Sequence, residues 1–194
     1  VEYIKDCVRA HPRLIGYVRL DPSMGEPAIK LFEKAVKKWG FKGLKLHPAG
    51  NFVHPAHKSS IEFIKTAARL GVPVLFHCGD EEYTLPLQVA KAAEAVPEAK
   101  IIMGHMGGYF HTEDAMLAAE KFKNIYLETS AMPYPEVIKE AVRRIGAERV
   151  LYASDGPGCP PDLEVRKVRL AGLTKKEEEK VLAGNIKKIL NIKK

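Results

Sequence analysis

Three side chains able to carry protons or ligate a metal, His77, His105 and Asp155, each stand directly after a short apolar run. The runs are Val72–Phe76, Lys100–Gly104 and Arg149–Ser154. Runs of this length bounded by Gly and Pro read as buried parallel strands. A polar residue at the carboxyl end of such a strand faces the mouth of an α/β sheet or barrel, where active sites are built. Three of these residue types in three such places predict one converging site. Imidazole and carboxylate suit Zn²⁺ and similar ions. A bound ion can bring the pKa of water to about 7, and a neighbouring carboxylate or imidazole can take its proton.

A second rank of candidates surrounds these. Lys45 and His47 straddle the end of the run Gly43–Leu46, and alternate residues of a strand share a side. Lys45 is placed to hold a substrate carboxylate. Arg19, at the end of another run, suits an anionic substrate or a structural ion pair. Glu128 ends Ile125–Glu128 as a mouth residue without an assigned role. His54 and His57 belong to a loop, His111 reads as the start of a helix, and Cys78 reads as a small buried thiol.

The elements that must position these groups alternate regularly. Strands are expected at Leu14–Leu20, Gly43–Leu46, Val72–Phe76, Lys100–Gly104, Ile125–Glu128 and Arg149–Ser154. Helices fall between them. Glu26–Trp39 places Ile29, Phe32, Ala35, Val36 and Trp39 on one face and stops at Gly40. After a loop at Ala49–Lys58, Ser59 or Ser60 starts a helix that Gly71 closes. Further helices span about Leu85–Ala95, from Thr112 onward, and about Tyr134–Ile145. Beyond the Pro/Gly-rich segment Gly156–Pro161 come terminal helices, with a Thr174/Glu177 capping box and Asn185 as cap of Ile186–Leu190. Strand ends recur every 24 to 30 residues, near positions 20, 46, 76, 104, 128 and 154. Such spacing indicates parallel strands with right-handed crossovers. No GxGxxG turn follows the first strand, so a dinucleotide-binding sheet is disfavoured. Functional residues after several separate strands fit a (β/α)₈ barrel, of which about six units are present. No linker divides residues 1–194, and a single α/β domain is expected.

Composition excludes several classes. The formal net charge of +7 is spread as lysines among glutamates on helical faces, with no basic stripe interleaved with aromatics. That is a solvated surface of the kind enriched in heat-loving proteins and not a nucleic-acid interface. No apolar stretch approaches the ~20 residues of a membrane helix. Val1–Ala10, with Glu2, Lys5, Asp6 and Arg9, does not read as a secretion signal. Three cysteines, none in CxxC spacing, fit a reducing cytoplasm.

Five strings occur in order: Gly43–Pro48 (GLKLHP), Val74–Gly79 (VLFHCG), Gly104–Gly108 (GHMGG), Tyr152–Pro157 (YASDGP) and Gly184–Leu190 (GNIKKIL). Together they resemble the amidohydrolase-related branch of the amidohydrolase superfamily, which includes metal-dependent hydrolases and non-oxidative decarboxylases. The resemblance implies a (β/α)₈ barrel with one or two divalent ions at its carboxyl mouth. It places His77 as a metal ligand after the fifth strand. His105, after the sixth, becomes a ligand or general acid/base. Asp155, after the eighth, binds the metal or deprotonates a bound water. Zn²⁺ is the expected ion, with Mn or Fe as alternatives.

The family's first strand ends in a His-x-His pair, and this sequence contains none. The Leu14 strand resembles the family's third strand, so the resemblance makes the visible strands the third through eighth, and a site short of ligands should bind metal weakly or stay empty. The leading expectation is a metal-dependent hydrolase of a small amide, ester or lactone. A decarboxylase at the same site is the alternative, and a non-catalytic barrel remnant is the third. The open barrel edges imply association into a homo-oligomer or with another chain.

Overall fold

The structure, a computed structural model, describes residues 1–79 and 82–192. Helix α1 (Glu2–Ala10) precedes six βα units. In order they are β1 (Tyr17–Arg19), α2 (Glu26–Trp39), β2 (Gly43–Leu46), α3 (Pro48–Asn51), α4 (Lys58–Leu70), β3 (Val74–Phe76) and α5 (Pro86–Ala95). Then come β4 (Ile101–Met103), α6 (Thr112–Lys121), β5 (Ile125–Glu128), α7 (Pro135–Ile145) and β6 (Val150–Leu151). Helices α8 (Pro161–Leu170), α9 (Lys175–Glu179) and α10 (Asn185–Ile189) close the chain. The strands form one sheet in sequence order, and every neighbouring pair is parallel.

The two-residue period of the strands sorts their side chains onto two faces. Val18, Leu44, Leu46, Val74, Phe76, Ile101, Met103, Ile125, Leu127 and Val150 pack into the core beneath the helices. Helix α2 meets them with Ala28, Phe32 and Ala35, a stripe at helical spacing, and ends where Gly40 takes a φ of 74°. Phe32 stacks on Phe63 of α4 at 6.3 Å between ring centroids. The opposite face carries Tyr17, Leu75, Ile102, Tyr126 and Leu151, which pack with Ile186, Ile189, Leu190 and Ile192. The C-terminal segment, α10 included, thus lies against the face of the sheet opposite α2–α7. It also reaches the turns before β2 and β3, where Ile189–Asn191 share a recess with Gly40–Lys42 and Leu70–Val72.

Five sequence expectations are revised. The cap of α4 is His57, whose side chain accepts the Ser59 N–H, and not Ser59 or Ser60. Leu14 and Ile15 lie outside β1 and are half exposed, because pairing with β2 starts only at Tyr17. The loop after β2 begins with the short helix α3, in which the His47 side chain accepts the Gly50 N–H. Strand β6 has two residues instead of six, because the Tyr152 N–H turns to the Val181 carbonyl at 2.9 Å. Asn185 does not cap the last helix. It has helical dihedrals (φ −68°, ψ −47°) after a π-turn at Lys180–Gly184, and its side chain donates to the carbonyls of Ala147 and Val150. The Thr174/Glu177 capping box forms as expected. Among the described residues, no helix is long and apolar enough to cross a membrane.

Candidate active site

The register brings the expected residues to the carboxyl end of the face opposite α2–α7. Lys45 pairs with Leu75, and Leu75 with Ile102. Two residues further along, His47 and His77 therefore stand side by side, and their rings stack at 4.2 Å. The His77 N–H donates to the Leu46 carbonyl, prolonging the ladder by one step.

His105 is placed by an unusual backbone. Gly104 passes so close to its neighbours that a Cβ there would lie 2.7 Å from the Phe76 carbonyl oxygen and 3.3 Å from Glu128 Oε1. His105 and Met106 then both take left-handed dihedrals (φ 56° and 50°). Each such non-glycine residue costs roughly 1–3 kcal/mol and persists only when its surroundings hold it. The holding group is Glu128, which is buried. Its carboxylate accepts the His105 N–H (2.9 Å), the Ser130 N–H (2.7 Å) and the Ser130 hydroxyl (2.9 Å).

From this carboxylate the proton positions follow outward. An ionised carboxylate only accepts. Ser130 Oγ spends its proton on Glu128, so at 2.9 Å it accepts from His105 Nδ1. His105 Nε2 then carries a lone pair and, at 3.1 Å, accepts from His77 Nδ1. The resulting chain Glu128–Ser130–His105–His77 sets the tautomers of both rings.

Asp155 (φ 52°) is exposed and lines, with His77 and His105, a cavity of about 200 Å³. The walls are kept close by Gly79 and Gly108, whose backbones touch: a Cβ on Gly79 would sit 2.4 Å from the Gly108 Cα. Lys45 points to the same face. Burial holds its ammonium below the ordinary lysine range, while the charges of Glu128 and Asp155 pull it back up and Arg19 pushes it down. Arg19 is exposed and makes no ion pair among the described residues.

The remaining histidines have local roles. His57 Nδ1 accepts the Ser59 N–H at the start of α4, and His54 Nδ1 accepts the Ala56 N–H. His111 precedes α6 without a side-chain cap. Ser130 and the role of Glu128 were not legible in the sequence; the only sign was a buried acid at a strand end followed by two hydroxyl residues.

The expected metal ligands are only partly brought together. His77, His105 and Asp155 share one cavity, but among the described residues no three His, Cys, Asp or Glu side chains group closely enough to hold an ion. Both nitrogens of His105 are already engaged, with Ser130 and His77. These donors do not by themselves fit a resident metal.

The sequence profile of the Amidohydrolase family matches residues 1–192, and the chain belongs to that family. The fold agrees. A 2,6-dihydroxybenzoate decarboxylase solved with 2,6-dihydroxybenzoate superposes with a TM-score of 0.83 at 16% identity, over 98% of this chain and 75% of that one. A dihydroxybenzoic acid decarboxylase from Polaromonas, solved with manganese and the inhibitor 2-nitroresorcinol, gives 0.77 at 19% identity, over 98% and 73%. An uncharacterised TIM-barrel protein from Bordetella bronchiseptica gives 0.82 at 16%, over 98% and 71%. No curated protein matches the chain significantly by sequence. The chain thus spans about three quarters of these structures, and its six units are an incomplete (β/α)₈ barrel.

Proposed function

We propose that the site formed by His105, Lys45, Arg19, His77 and Asp155 serves the non-oxidative decarboxylation of a small hydroxylated aromatic acid. The observation that carries this is the Glu128–Ser130–His105 chain ending on a cavity wall, with Lys45 on the same face of the sheet. Decarboxylation of such an acid needs a proton delivered to the ring carbon that bears the carboxylate. The C–C bond then breaks, its electron pair returns to the ring, and CO₂ leaves. A charged imidazole donates Nδ1–H to Ser130 and offers Nε2–H to that carbon. Lys45 and Arg19 supply the positive charge that orients the acid. Two structural neighbours act on dihydroxybenzoates, which supports this over the hydrolytic expectation.

Manganese in one neighbour favours Mn²⁺ over the expected Zn²⁺ as the ion the whole site takes. His77 and Asp155 line the cavity such an ion would enter, but the donors among the described residues do not group closely enough to hold one. Hydrolysis remains the second reading because Asp155 is an exposed carboxylate at the mouth, suited to taking a proton from water.

Incubation with ¹³C-bicarbonate and a panel of resorcinols and phenols tests the proposal. Label should enter the carboxylate of one aromatic acid, and His105→Asn should abolish it. Turnover of lactones or esters with no label incorporation would transfer the site to hydrolysis.

A further inference from the structure

Helix α8 carries a buried ion pair that the proposed chemistry does not use. Glu164 and Lys167 are each 7% exposed and stand one turn apart, 2.5 Å between Oε2 and Nζ. Each makes one further bond, and both bonds go to the same short loop after β5. Lys167 Nζ donates to the Thr129 carbonyl at 2.9 Å, and Glu164 Oε2 accepts the Ala131 N–H at 3.2 Å. The two peptide groups gripped in this way flank Ser130. Ala131 itself is held at a φ of 55° and lines the cavity with His105 and Asp155. On the other side, the Thr129 N–H donates to the Leu151 carbonyl, tying the loop to β6.

We propose that Glu164 and Lys167 are positioning residues that fix Ser130 and, through its hydroxyl, the imidazole of His105. The inference deepens the function proposed above, since the pair matters to the reaction only through His105. A buried ion pair seldom adds stability over apolar side chains of similar volume. Its presence here is explained by what it reaches.

The test reads His105 directly and needs no turnover. In ¹⁵N-histidine-labelled protein, with His105→Gln as the assignment reference, the wild-type ring should show one tautomer, protonated at Nδ1 and slow to exchange. The double substitution Glu164→Met with Lys167→Met removes both charges together and should fold with a cooperative melt. Its Nδ1–H should exchange about tenfold faster, the loss of one ordinary hydrogen bond. Ser130→Ala should give the same signature with α8 untouched. A folded double variant with unchanged His105 exchange would overturn the proposal, as would Ser130→Ala without effect. If the double variant fails to fold, Glu164→Gln replaces it. That change keeps an acceptor for the Ala131 N–H but removes the counter-charge of Lys167, and faster exchange supports the proposal while unchanged exchange overturns it. Loss of ¹³C incorporation alone bears on decarboxylation and not on this support.

Discussion

Glu128 is the group on which the candidate site hangs, and its replacement gives the sharpest test of the reasoning. It is 5% exposed and accepts three hydrogen bonds, from His105 N–H, Ser130 N–H and Ser130 Oγ–H. Hydrogen bonds to a charged group are worth about 1.5–3 kcal/mol each, neutral ones about 0.5–1.5. In Glu128→Gln the amide oxygen can keep the Oε1 position and its two donors, now at neutral strength. The amide NH₂ then faces the Ser130 N–H, donor against donor. One bond is lost, two are weakened, and the smaller desolvation cost of a neutral amide offsets part of this. The net loss is about 2–4 kcal/mol. For a chain of this size that lowers Tm by about 4–16 °C.

Glu128→Leu separates two accounts of the same residue. If the cost of burying the carboxylate dominated, an apolar replacement would be neutral or stabilising. Here leucine leaves the His105 N–H and the Ser130 N–H unpaired, each costing roughly 1–3 kcal/mol, while the Ser130 hydroxyl keeps His105 Nδ1 as a partner. Leucine should therefore be worse than glutamine. Urea melts of the three proteins decide it, with ΔG compared at constant m-value. A leucine variant as stable as wild type would refute the assignment of Glu128 as the organising acceptor.

Other expectations follow from the same geometry. Lys45→Met should leave stability unchanged or raise it while abolishing ¹³C incorporation. The Lys45 ammonium is disfavoured by burial, so the unfolded chain holds that proton more tightly and wild-type stability should rise with pH just below lysine's ordinary pKa of about 10.4. The methionine variant should lose that part of the slope, and an unchanged slope would contradict the placement of Lys45. Gly79→Ala puts a Cβ 2.4 Å from the Gly108 Cα on a residue at φ 110°, so it should destabilise by about 2–4 kcal/mol and open the cavity, read by thermal melts. Equilibrium dialysis should find Mn²⁺ and Zn²⁺ bound below one ion per chain, since a catalytic site takes about three protein ligands; tight stoichiometric metal would show that the donors converge further than described. The uncovered edge of β1 should make the chain self-associate in a concentration series by light scattering, and a dilution-independent monomer would show that the terminal segments cover it.

The alternation of elements was legible because its signals are local. Buried parallel strands read as apolar runs, and helices stop at glycines such as Gly40 and Gly71, which take the left-handed dihedrals other residues resist. Strand lengths were less so. Whether Tyr152 continues β6 depends on the Val181 carbonyl, twenty-nine positions later in the numbering, and no local pattern encodes that competition. Asn185 shows the same limit. Asparagine before an apolar helical stretch is a sound cap by propensity, yet a π-turn carries the helix through it, and its amide serves the distant carbonyls of Ala147 and Val150.

The site divides along the same line. His77, His105, Asp155, Lys45 and His47 could be picked out because a strand's carboxyl end delivers whatever follows it to the mouth of the barrel. What each can do there depends on partners far away in sequence. His105 is tied to Ser130 across 25 positions and to His77 across 28, and Ser130 is steadied by residues 33 and 38 positions from the groups they hold. The consequence is chemical. With Nδ1 committed to the Glu128–Ser130 chain, His105 has only Nε2 left to act on a substrate, and that nitrogen points where His77 already stands. Substrate must therefore part the two rings or take the place of one contact, so substitutions at His77 should alter proton delivery by His105 even where no metal is involved.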